Sequence, residues 1–410
     1  MNFLFVHQNF PGQYRDLYPA LVAEGHRCEA IASSTAPRNS SASISRYTIH
    51  STGLPNGLHP WAADLHLKSF RAEAVARVAF LLLERGFRPD LVIGHPGWGE
   101  LLAIKDVLPG IPVLHQLEFV YQLYGADYGF DQEFSPANWE AASRLRLRRL
   151  PQLLAFHDLD HAIAPTHWQA STAPQEFADR ISVIHEGIDT DLICPNPNVK
   201  IELGKSGITF SRGDEVITYA ARNLEPYRGF HIFMRMLPKL QSLRPGCHVL
   251  IVGGDEVSYG NPPPCGRTWR QRMLSELDGK IDLSRIHFLG KVTHSNLHKV
   301  FQVSACHIYL TYPFVLSWSM LEAMSCGTLV MGSDTPPVQE VIKHGANGIL
   351  VDFFDFEALA NQVADVLHNS KSYDTLARAG RNTIREYYDR QRICLPQRLS
   401  LVKQLASVTG

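Results

Sequence analysis

Short apolar runs alternate with amphipathic segments along this chain, and single glycines separate many of them. Strands are predicted in the apolar runs of the first half: Asn2 to Val6, Cys28 to Ala32, Leu91 to Gly94, Ile111 to Leu114 and His161 to Ala164. Helices are predicted from Tyr14 to Glu24 and from Leu65 to Arg85, with a Ser-rich loop from Ser33 to Ser45. Repeated strand–helix–strand units of this kind are typical of a parallel, doubly wound α/β sheet.

The same pattern starts again after a segment that is spaced by prolines and glycines. This segment, Cys194 to Glu215, is predicted to be a linker. The strands predicted beyond it are Val216 to Ala220, His248 to Gly253, Ile286 to Leu289, His307 to Leu310 and Thr328 to Gly332. The tail from Tyr373 to Leu405 has helical periodicity. A chain of 410 residues is also too long for one ordinary core, so two domains are expected.

Composition and charge exclude several classes of protein. A net charge of −1 gives no overall attraction to nucleic acid, and no run of about 18 apolar residues predicts a membrane-spanning helix. The first residues lack the basic region and long apolar region of a signal peptide. The chain has seven scattered cysteines and no CxxC motif, which favours reduced thiols. We therefore expect a cytoplasmic protein.

Polar groups lie at two predicted strand exits between Tyr312 and Glu340. A Pro-containing turn follows one strand, and the helix after it carries Glu322 among apolar and small residues. Ligands of open α/β sheets bind at the carboxyl ends of strands, where helix N-termini offer free N–H groups. A carboxylate in such apolar surroundings is more often functional than a solvated helix residue.

Two arginines follow the first predicted strand of the second half. Arg222 comes directly after that strand, and Arg228 precedes Gly229 and a helix. Guanidinium groups supply fixed charge and paired donors to a departing diphosphate. The alternative is an arginine pair that neutralises Glu225 at the surface, but the strand–loop–helix context favours phosphate binding.

These residues closely resemble the nucleotide-sugar site of retaining glycosyltransferases of family 4. The resemblance implies the GT-B fold: two Rossmann-like α/β domains facing across a cleft. It implies an acceptor-binding domain over 1–193, a nucleotide-sugar domain over 194–385 and a final helix over 386–410 that crosses back to the first domain. The implied activity moves a sugar from a nucleotide diphosphate sugar to an acceptor hydroxyl with retention of configuration, and needs no metal or cofactor.

The chain departs from the family at the motif of two glutamates separated by seven residues. The second glutamate falls on Glu322, which the resemblance assigns to the donor ribose, but the first falls on Phe314. Contacts to the transferred sugar are then expected from backbone N–H groups of Val315 and Leu316 or from Ser317. The resemblance also implies a lysine where Arg228 stands.

Further donor-side candidates lie in short loops. Gly12 would let the backbone approach the donor, although a turn before a helix explains it equally well. The resemblance implies donor contacts at two further strand ends, through Gly253, Gly254, Lys291 and Val292.

Candidates for the acceptor side follow two strands of the first half. By resemblance, His115 faces the transferred sugar and His95 is the alternative. Glu118 could orient an acceptor hydroxyl or pair with an arginine. The long loop Glu118 to Trp139 carries many aromatic residues, among them Tyr121 and Tyr124, which suit a carbohydrate acceptor; a lid packed on its own aromatic rings is the alternative.

The expected partners are a nucleotide sugar and an acceptor that is a carbohydrate, a lipid-linked sugar or a small molecule. The basic stretch Arg144 to Leu150 is read as a charged helix face, with contact to the inner face of a membrane as the alternative. Two other functions stay open: a nucleotide-sugar 2-epimerase of the GT-B fold, and a non-catalytic nucleotide-sugar-binding protein, which Phe314 suggests.

Overall fold

The computed structural model describes residues 1–37, 42–49, 53, 55–204 and 207–407, apart from the side chain of Cys265. Part of the predicted Ser-rich loop therefore lies outside the described residues. The chain forms two compact units. Unit 1 comprises Met1–Tyr124, Ala137–Gly187 and the C-terminal residues from Gln391, and unit 2 comprises Gly125–Pro136 and Ile188–Arg390.

Unit 1 is built on a seven-stranded parallel sheet with the order β3-β2-β1-β4-β5-β6-β7. Its strands are β1 Asn2–Val6, β2 Arg27–Ser33, β3 Ser43–Tyr47, β4 Leu91–Gly94, β5 Val113–Gln116, β6 His161–Ala164 and β7 Ile181–Val183. The strand order reverses between β1 and β4, as in a doubly wound nucleotide-binding fold.

Helices cover the sheet of unit 1. They are α1 Leu17–Ala23, α2 Ala63–Glu84, α3 Ile104–Val107, α4 Trp139–His157 and α5 His167–Ser171. Alternate residues of β1 enter two different cores: Phe3 and Phe5 join one, and Leu4 and Val6 join the other. A strand with apolar side chains on both faces belongs in the middle of a covered parallel sheet.

Unit 2 repeats this architecture in a six-stranded parallel sheet with the order β12-β11-β10-β13-β14-β15. Its strands are β10 Val216–Asn223, β11 His248–Gly254, β12 Ile286–Gly290, β13 Cys306–Tyr309, β14 Leu329–Ser333 and β15 Ile349–Val351. Its helices are α6 Phe230–Leu243, α7 Trp269–Glu276, α8 His294–Val303, α9 Trp318–Ser325, α10 Pro336–Val341, α11 Phe356–His368 and α12 Ser370–Tyr387. The two parallel sheets confirm the predicted α/β class.

The segment predicted as a linker is instead an antiparallel hairpin of unit 2. Its strands are β8 Lys200–Leu203 and β9 Ile208–Ser211. Ile201, Leu203 and Ile208 pack against the core of unit 2, and Phe210 is buried within it. The alternation of polar and apolar residues in these strands was the signal of the hairpin, and the glycines between them obscured it.

The middle of the predicted aromatic loop belongs to unit 2. Asp131 is buried there and accepts a hydrogen bond from Tyr312 Oη at 2.5 Å. Its carboxylate also lies 3.2 Å from His231 Nε2. Phe130 packs against Tyr312, and Phe134 packs edge-on against His231. These rings are therefore part of the packing of unit 2, whereas Phe119 and Tyr121 at the start of the loop pack edge-on against each other.

The C-terminal tail is not one continuous helix. Helix α12 ends at Tyr387, a π-helical turn spans Arg390–Cys394, and α13 Leu395–Ser407 follows. Val402 and Ala406 of α13 are buried in a core of unit 1. No helix within the described ranges is long and apolar enough to cross a membrane.

Three further short strands and the start of the first helix also differ from the sequence prediction. Strands β3, β7 and β15 were not predicted, because they have three to five residues, lie at or near sheet edges and carry polar or partly exposed side chains. The helix predicted from Tyr14 begins only at Leu17, after a 3-10 turn over Gly12–Tyr14.

Candidate functional site

In unit 2, two cations flank a glycine pair at the carboxyl ends of three neighbouring strands. Arg222 is exposed near the end of β10, and Lys291 is exposed directly after β12. Between them, β11 ends in Gly253 and Gly254. The carboxyl ends of parallel strands share one edge, so this edge carries positive charge next to accessible backbone.

A carboxylate forms an ion pair with one of these cations. Glu256 Oε2 lies 2.7 Å from Lys291 Nζ. That hydrogen bond lowers the pKa of Glu256, and the charges of Lys291 and Arg222 lower it further. The two cations therefore already attract one exposed anionic group at this edge.

A side chain at Gly254 would have to push these exposed side chains aside. A Cβ atom at Gly254 would lie 2.3 Å from Glu256 Oε2 and 2.4 Å from Lys291 Cε. At Gly253, φ is +159° and a Cβ would lie 2.7 Å from a methyl carbon of Leu224. Side chains at either position would displace their neighbours.

Arg228 is buried, unlike Arg222, and supports the turn after β13. Its Nη1 donates to Thr311 Oγ1 at 2.8 Å and to the carbonyl oxygen of Val315 at 2.9 Å. It thereby connects the two strands at which the order of this sheet reverses, β10 and β13. The alternative in which Arg228 neutralises Glu225 at the surface does not apply, because Glu225 is buried and accepts backbone N–H groups of residues 258–260.

Phe314 lies in an aromatic cluster. Its ring packs edge-on against Tyr227 at 5.5 Å and against Tyr259 at 5.1 Å between centroids. Arg228 lies over the ring of Tyr259 at 5.3 Å. An ionised carboxylate at position 314 would meet these apolar ring faces, so the neighbourhood suits the phenyl group.

The turn that follows leads into α9. Leu316 is buried, and the N–H group of Ser317 donates to Tyr309 Oη at 2.8 Å. Ser317 is also the N-cap residue of α9, since its side chain accepts from the N–H group of Ser319. The N–H group of Ser317 is thus already engaged within the protein.

Glu322 is buried in α9. Only 3% of its surface is exposed, and its Oε1 lies 3.8 Å from Nδ1 of the exposed His294 on α8. Val292, predicted to touch the donor, packs against the core of unit 2. Burial of a carboxylate costs free energy unless hydrogen-bond or charged partners compensate it.

In unit 1, a second polar cluster lies where β1 and β4 end. His95 stacks on Trp98 with 4.1 Å between ring centroids, and His7 meets the same indole edge-on at 4.8 Å. His95 Nε2 lies 3.3 Å from Glu118 Oε2, while its Nδ1 accepts the N–H group of Gly97. Nε2 is therefore the ring nitrogen of His95 that faces the carboxylate.

Gly12 allows a close approach within this cluster. A Cβ there would lie 2.3 Å from the ring of His7, and φ at Gly12 is +48°. The next residue, Gln13, donates its side-chain amide to Glu118. Burial lowers the pKa of His7 to about 4, and the nearby charge of His95 lowers it further. His7 is therefore neutral at physiological pH.

The remaining candidates of unit 1 differ in burial. His115 is a buried residue of β5, and burial lowers its pKa to about 3. Tyr121 lies under the guanidinium of Arg148 at 4.2 Å, and the side chain of Tyr124 is 85% exposed. Of the two predicted histidines, only His95 is brought together with Glu118.

Sequence reasoning missed three histidines: His7 in unit 1, and the pair His294 and His298 in unit 2. His7 directly follows β1, and its position at the end of the first strand was the available signal. His294 and His298 are four residues apart on α8, a spacing that brings side chains together on one helix face. These histidines lie beside Glu322.

Two family models match the chain. The model described as Glycosyl transferase family 4 group matches residues 24–193. The model described as Glycosyl transferases group 1 matches residues 205–383. Together they cover most of both units.

Curated relatives carry glycosyltransferase names. The chain is 25% identical over 189 residues to the D-inositol 3-phosphate glycosyltransferase of Mycolicibacterium smegmatis, covering 46% of this chain and 40% of that protein. It is 25% identical over 247 residues to the GDP-mannose-dependent alpha-(1-6)-phosphatidylinositol monomannoside mannosyltransferase of the same species, covering 58% and 60%. The chain thus spans about half the length of the curated relatives it matches.

Solved structures share the fold over the full chain. Sucrose-phosphate synthase from Thermosynechococcus elongatus matches with a TM-score of 0.71 and 16% identity, covering 100% of both chains. HepE from Anabaena, solved in complex with UDP and glucose, matches with a TM-score of 0.67 and 18% identity, also over 100% of both chains. These matches confirm two Rossmann-like domains of the GT-B class. The two family models together span residues 24–193 and 205–383, and they show that this chain belongs to the family 4 glycosyltransferases.

Proposed function

We propose that this protein transfers a sugar from a nucleotide diphosphate sugar to an acceptor hydroxyl, with retention of anomeric configuration. The observation that carries the proposal is the edge of unit 2 where Arg222 and Lys291 flank Gly253 and Gly254. Two exposed cations beside approachable backbone suit a diphosphate. The glycosyltransferase names of the relatives support the same reaction class.

In this proposal each part of the donor site has its own task. Arg222 and Lys291 bind the diphosphate, which displaces Glu256 from its ion pair. Glu322 accepts hydrogen bonds from the ribose hydroxyls. Arg228 is a positioning residue, because its hydrogen bonds to Thr311 and Val315 shape the turn that precedes α9.

The proposed transfer needs no carboxylate nucleophile. The bond from the anomeric carbon to the β-phosphate oxygen breaks, and its electron pair leaves with the diphosphate, whose growing charge the two cations stabilise. The acceptor oxygen bonds to the anomeric carbon from the same face, and its proton passes to a β-phosphate oxygen. The aromatic surroundings of Phe314 are consistent with this route.

His95 and Glu118 of unit 1 are the proposed acceptor-side groups. Glu118 can accept a hydrogen bond from a hydroxyl, and its 3.3 Å approach to His95 Nε2 orients it. The acceptor class proposed is a carbohydrate or a polyol, since the relatives carry inositol-containing names.

A thermal-shift panel of UDP, GDP, ADP, TDP and their sugars tests the donor site, using wild type and Arg222→Ala. Ligands that bind the folded state raise its melting temperature. We expect one nucleotide to raise the melting temperature of wild type, and this increase to be lost in Arg222→Ala. Absence of any shift at millimolar nucleotide would contradict it, and tight donor binding without nucleotide release would favour the non-catalytic binding protein.

A further inference from the structure

Two neighbouring helices of unit 2 bring three metal-ligand groups together. His294 and His298 lie one turn apart on α8, and Glu322 lies on α9. One ligand atom from each of the three residues lies within 4.8 Å of the other two. The pair formed by His294 Nδ1 and Glu322 Oε1 is 3.8 Å apart.

The cluster contains a buried polar atom that the protein itself leaves unsatisfied. His298 Nε2 is buried and has no hydrogen-bond partner within the part of the chain that the structure describes. A buried nitrogen of this kind calls for a water molecule or an ion. A ring nitrogen of His298 lies within 4.8 Å of the buried carboxylate of Glu322, so nitrogen and oxygen ligands converge at this place.

We propose that His294, His298 and Glu322 bind one divalent transition-metal ion of the zinc class. Two imidazoles and one carboxylate form a ligand set that Zn²⁺ accepts with a fourth position open to water. Magnesium and calcium prefer oxygen ligands, so the two histidines select against them. Histidines four residues apart on a helix are a known way to present two nitrogen ligands to one metal.

The distances between the three ligand atoms need to shorten only slightly to fit a metal ion. Bonds of about 2.0 to 2.1 Å in a tetrahedron separate the ligand atoms by roughly 3.3 Å. The separations here are up to 4.8 Å, and the side chain of His294 is 62% exposed, so it can rotate towards the other two. The two less mobile ligands, His298 and Glu322, are held by the packing of α8 and α9.

A metal at this place would compete with the donor. This second part of the inference rests on the proposed function, in which Glu322 binds the ribose. One carboxylate cannot serve both ligands fully, so bound metal is expected to weaken nucleotide binding, and the nucleotide to weaken metal binding by the same factor.

The test titrates chelator-treated, nucleotide-free protein with Zn²⁺ by calorimetry and with Co²⁺ by absorption. One equivalent of metal is expected in wild type, with a tetrahedral Co²⁺ spectrum. His294→Ala, which removes an exposed side chain, and His298→Ala should each weaken binding about ten-fold or more. His368→Ala, at an exposed histidine of α11, is the matched control and should bind as wild type does. Absence of one-equivalent binding, or equal affinity in all three variants, would overturn the site.

Repeating the titration with saturating nucleotide tests the competition. The expected result is a lower apparent metal affinity in wild type than the metal binding of free nucleotide, titrated without protein, accounts for. Unchanged metal affinity in the presence of bound nucleotide would overturn the shared role of Glu322. Failure of any nucleotide to bind would instead count against the proposed donor site, and it would leave the metal titration unaffected.

Discussion

The guanidinium of Arg228 donates a hydrogen bond to the carbonyl oxygen of Val315 at 2.9 Å. Arg228 follows β10 and Val315 follows β13, so this bond joins the loops of two adjacent strands. The same nitrogen also donates to Thr311 Oγ1. A buried cation thereby supports the turn that leads to α9 and Glu322.

Replacing Arg228 with lysine should destabilise the protein although the charge is kept. A lysine ammonium cannot reproduce the planar donor geometry, and it would leave a buried charge with fewer partners. We expect a loss of about 3 kcal/mol in the free energy of unfolding, measured by denaturant titration. Arg222→Lys, at an exposed position, is the control and should change this free energy by less than about 0.5 kcal/mol. Equal effects of the two substitutions would contradict the positioning role of Arg228.

Arg222→Ala should weaken binding of the donor nucleotide without loss of stability. Removing a charged donor to a diphosphate costs about 1.5 to 3 kcal/mol, which corresponds to roughly a ten- to hundred-fold weaker affinity. Calorimetric titration with the preferred nucleoside diphosphate measures this change. Arg378→Ala, on the exposed face of α12, should leave the affinity unchanged. A wild-type affinity in Arg222→Ala would remove Arg222 from the donor site.

Glu322→Gln should reduce discrimination between ribose and 2′-deoxyribose nucleotides. The carboxylate can accept from both ribose hydroxyls, whereas the amide offers one acceptor oxygen. Wild type is expected to bind the ribonucleotide more tightly, and the ratio of the two affinities should fall towards one in the variant. Paired titrations of both nucleotides with both proteins give this ratio. The same ratio in wild type and variant would show that Glu322 does not contact the ribose.

Buried His115 should make stability depend on pH. Burial lowers its folded-state pKa to about 3, while the unfolded chain titrates at 6.5. Between these values the unfolded state binds more protons, so the free energy of unfolding rises with pH, by up to about 1.4 kcal/mol per pH unit for one histidine. Stability should therefore fall as the pH drops from 6.5 towards 3.

The variant His115→Gln isolates this contribution. Denaturant titrations at pH 7 and pH 5 should show a smaller loss of stability in the variant than in wild type. The exposed His368→Ala should keep the wild-type difference. If His115→Gln keeps it too, His115 does not carry the lowered pKa that its burial implies.

The sequence predicted most central strands of both sheets because their apolar runs are long and continuous. The predicted ends of the strands were less accurate, and the end of a strand decides whether a residue lies in the sheet or in the loop after it. Strand β5 was predicted to end at Leu114 but extends to Gln116, which places His115 inside the sheet instead of in the loop after it. His115 is paired in register with Gly94, the residue before His95.

Long-range contacts were the other limit. No sequence pattern shows that Asp131 would be buried with Tyr312 and His231, residues about 100 or more positions away. The aromatic residues of that loop were read as acceptor contacts because aromatic side chains serve binding and packing equally well. The exposed Arg222 and the buried Arg228 could not be distinguished in the sequence, because the burial of a side chain depends on tertiary packing.

Acceptor-dependent release of nucleoside diphosphate tests the central claim most directly. Wild type is incubated with the stabilising nucleotide sugar and a panel of carbohydrate and polyol acceptors, and the anomeric configuration of the product is read by NMR. We predict release that requires one acceptor class, a product with retained configuration, and a strong loss of release in Arg222→Ala. Donor binding without release for any acceptor, or a product with inverted configuration, would contradict the account.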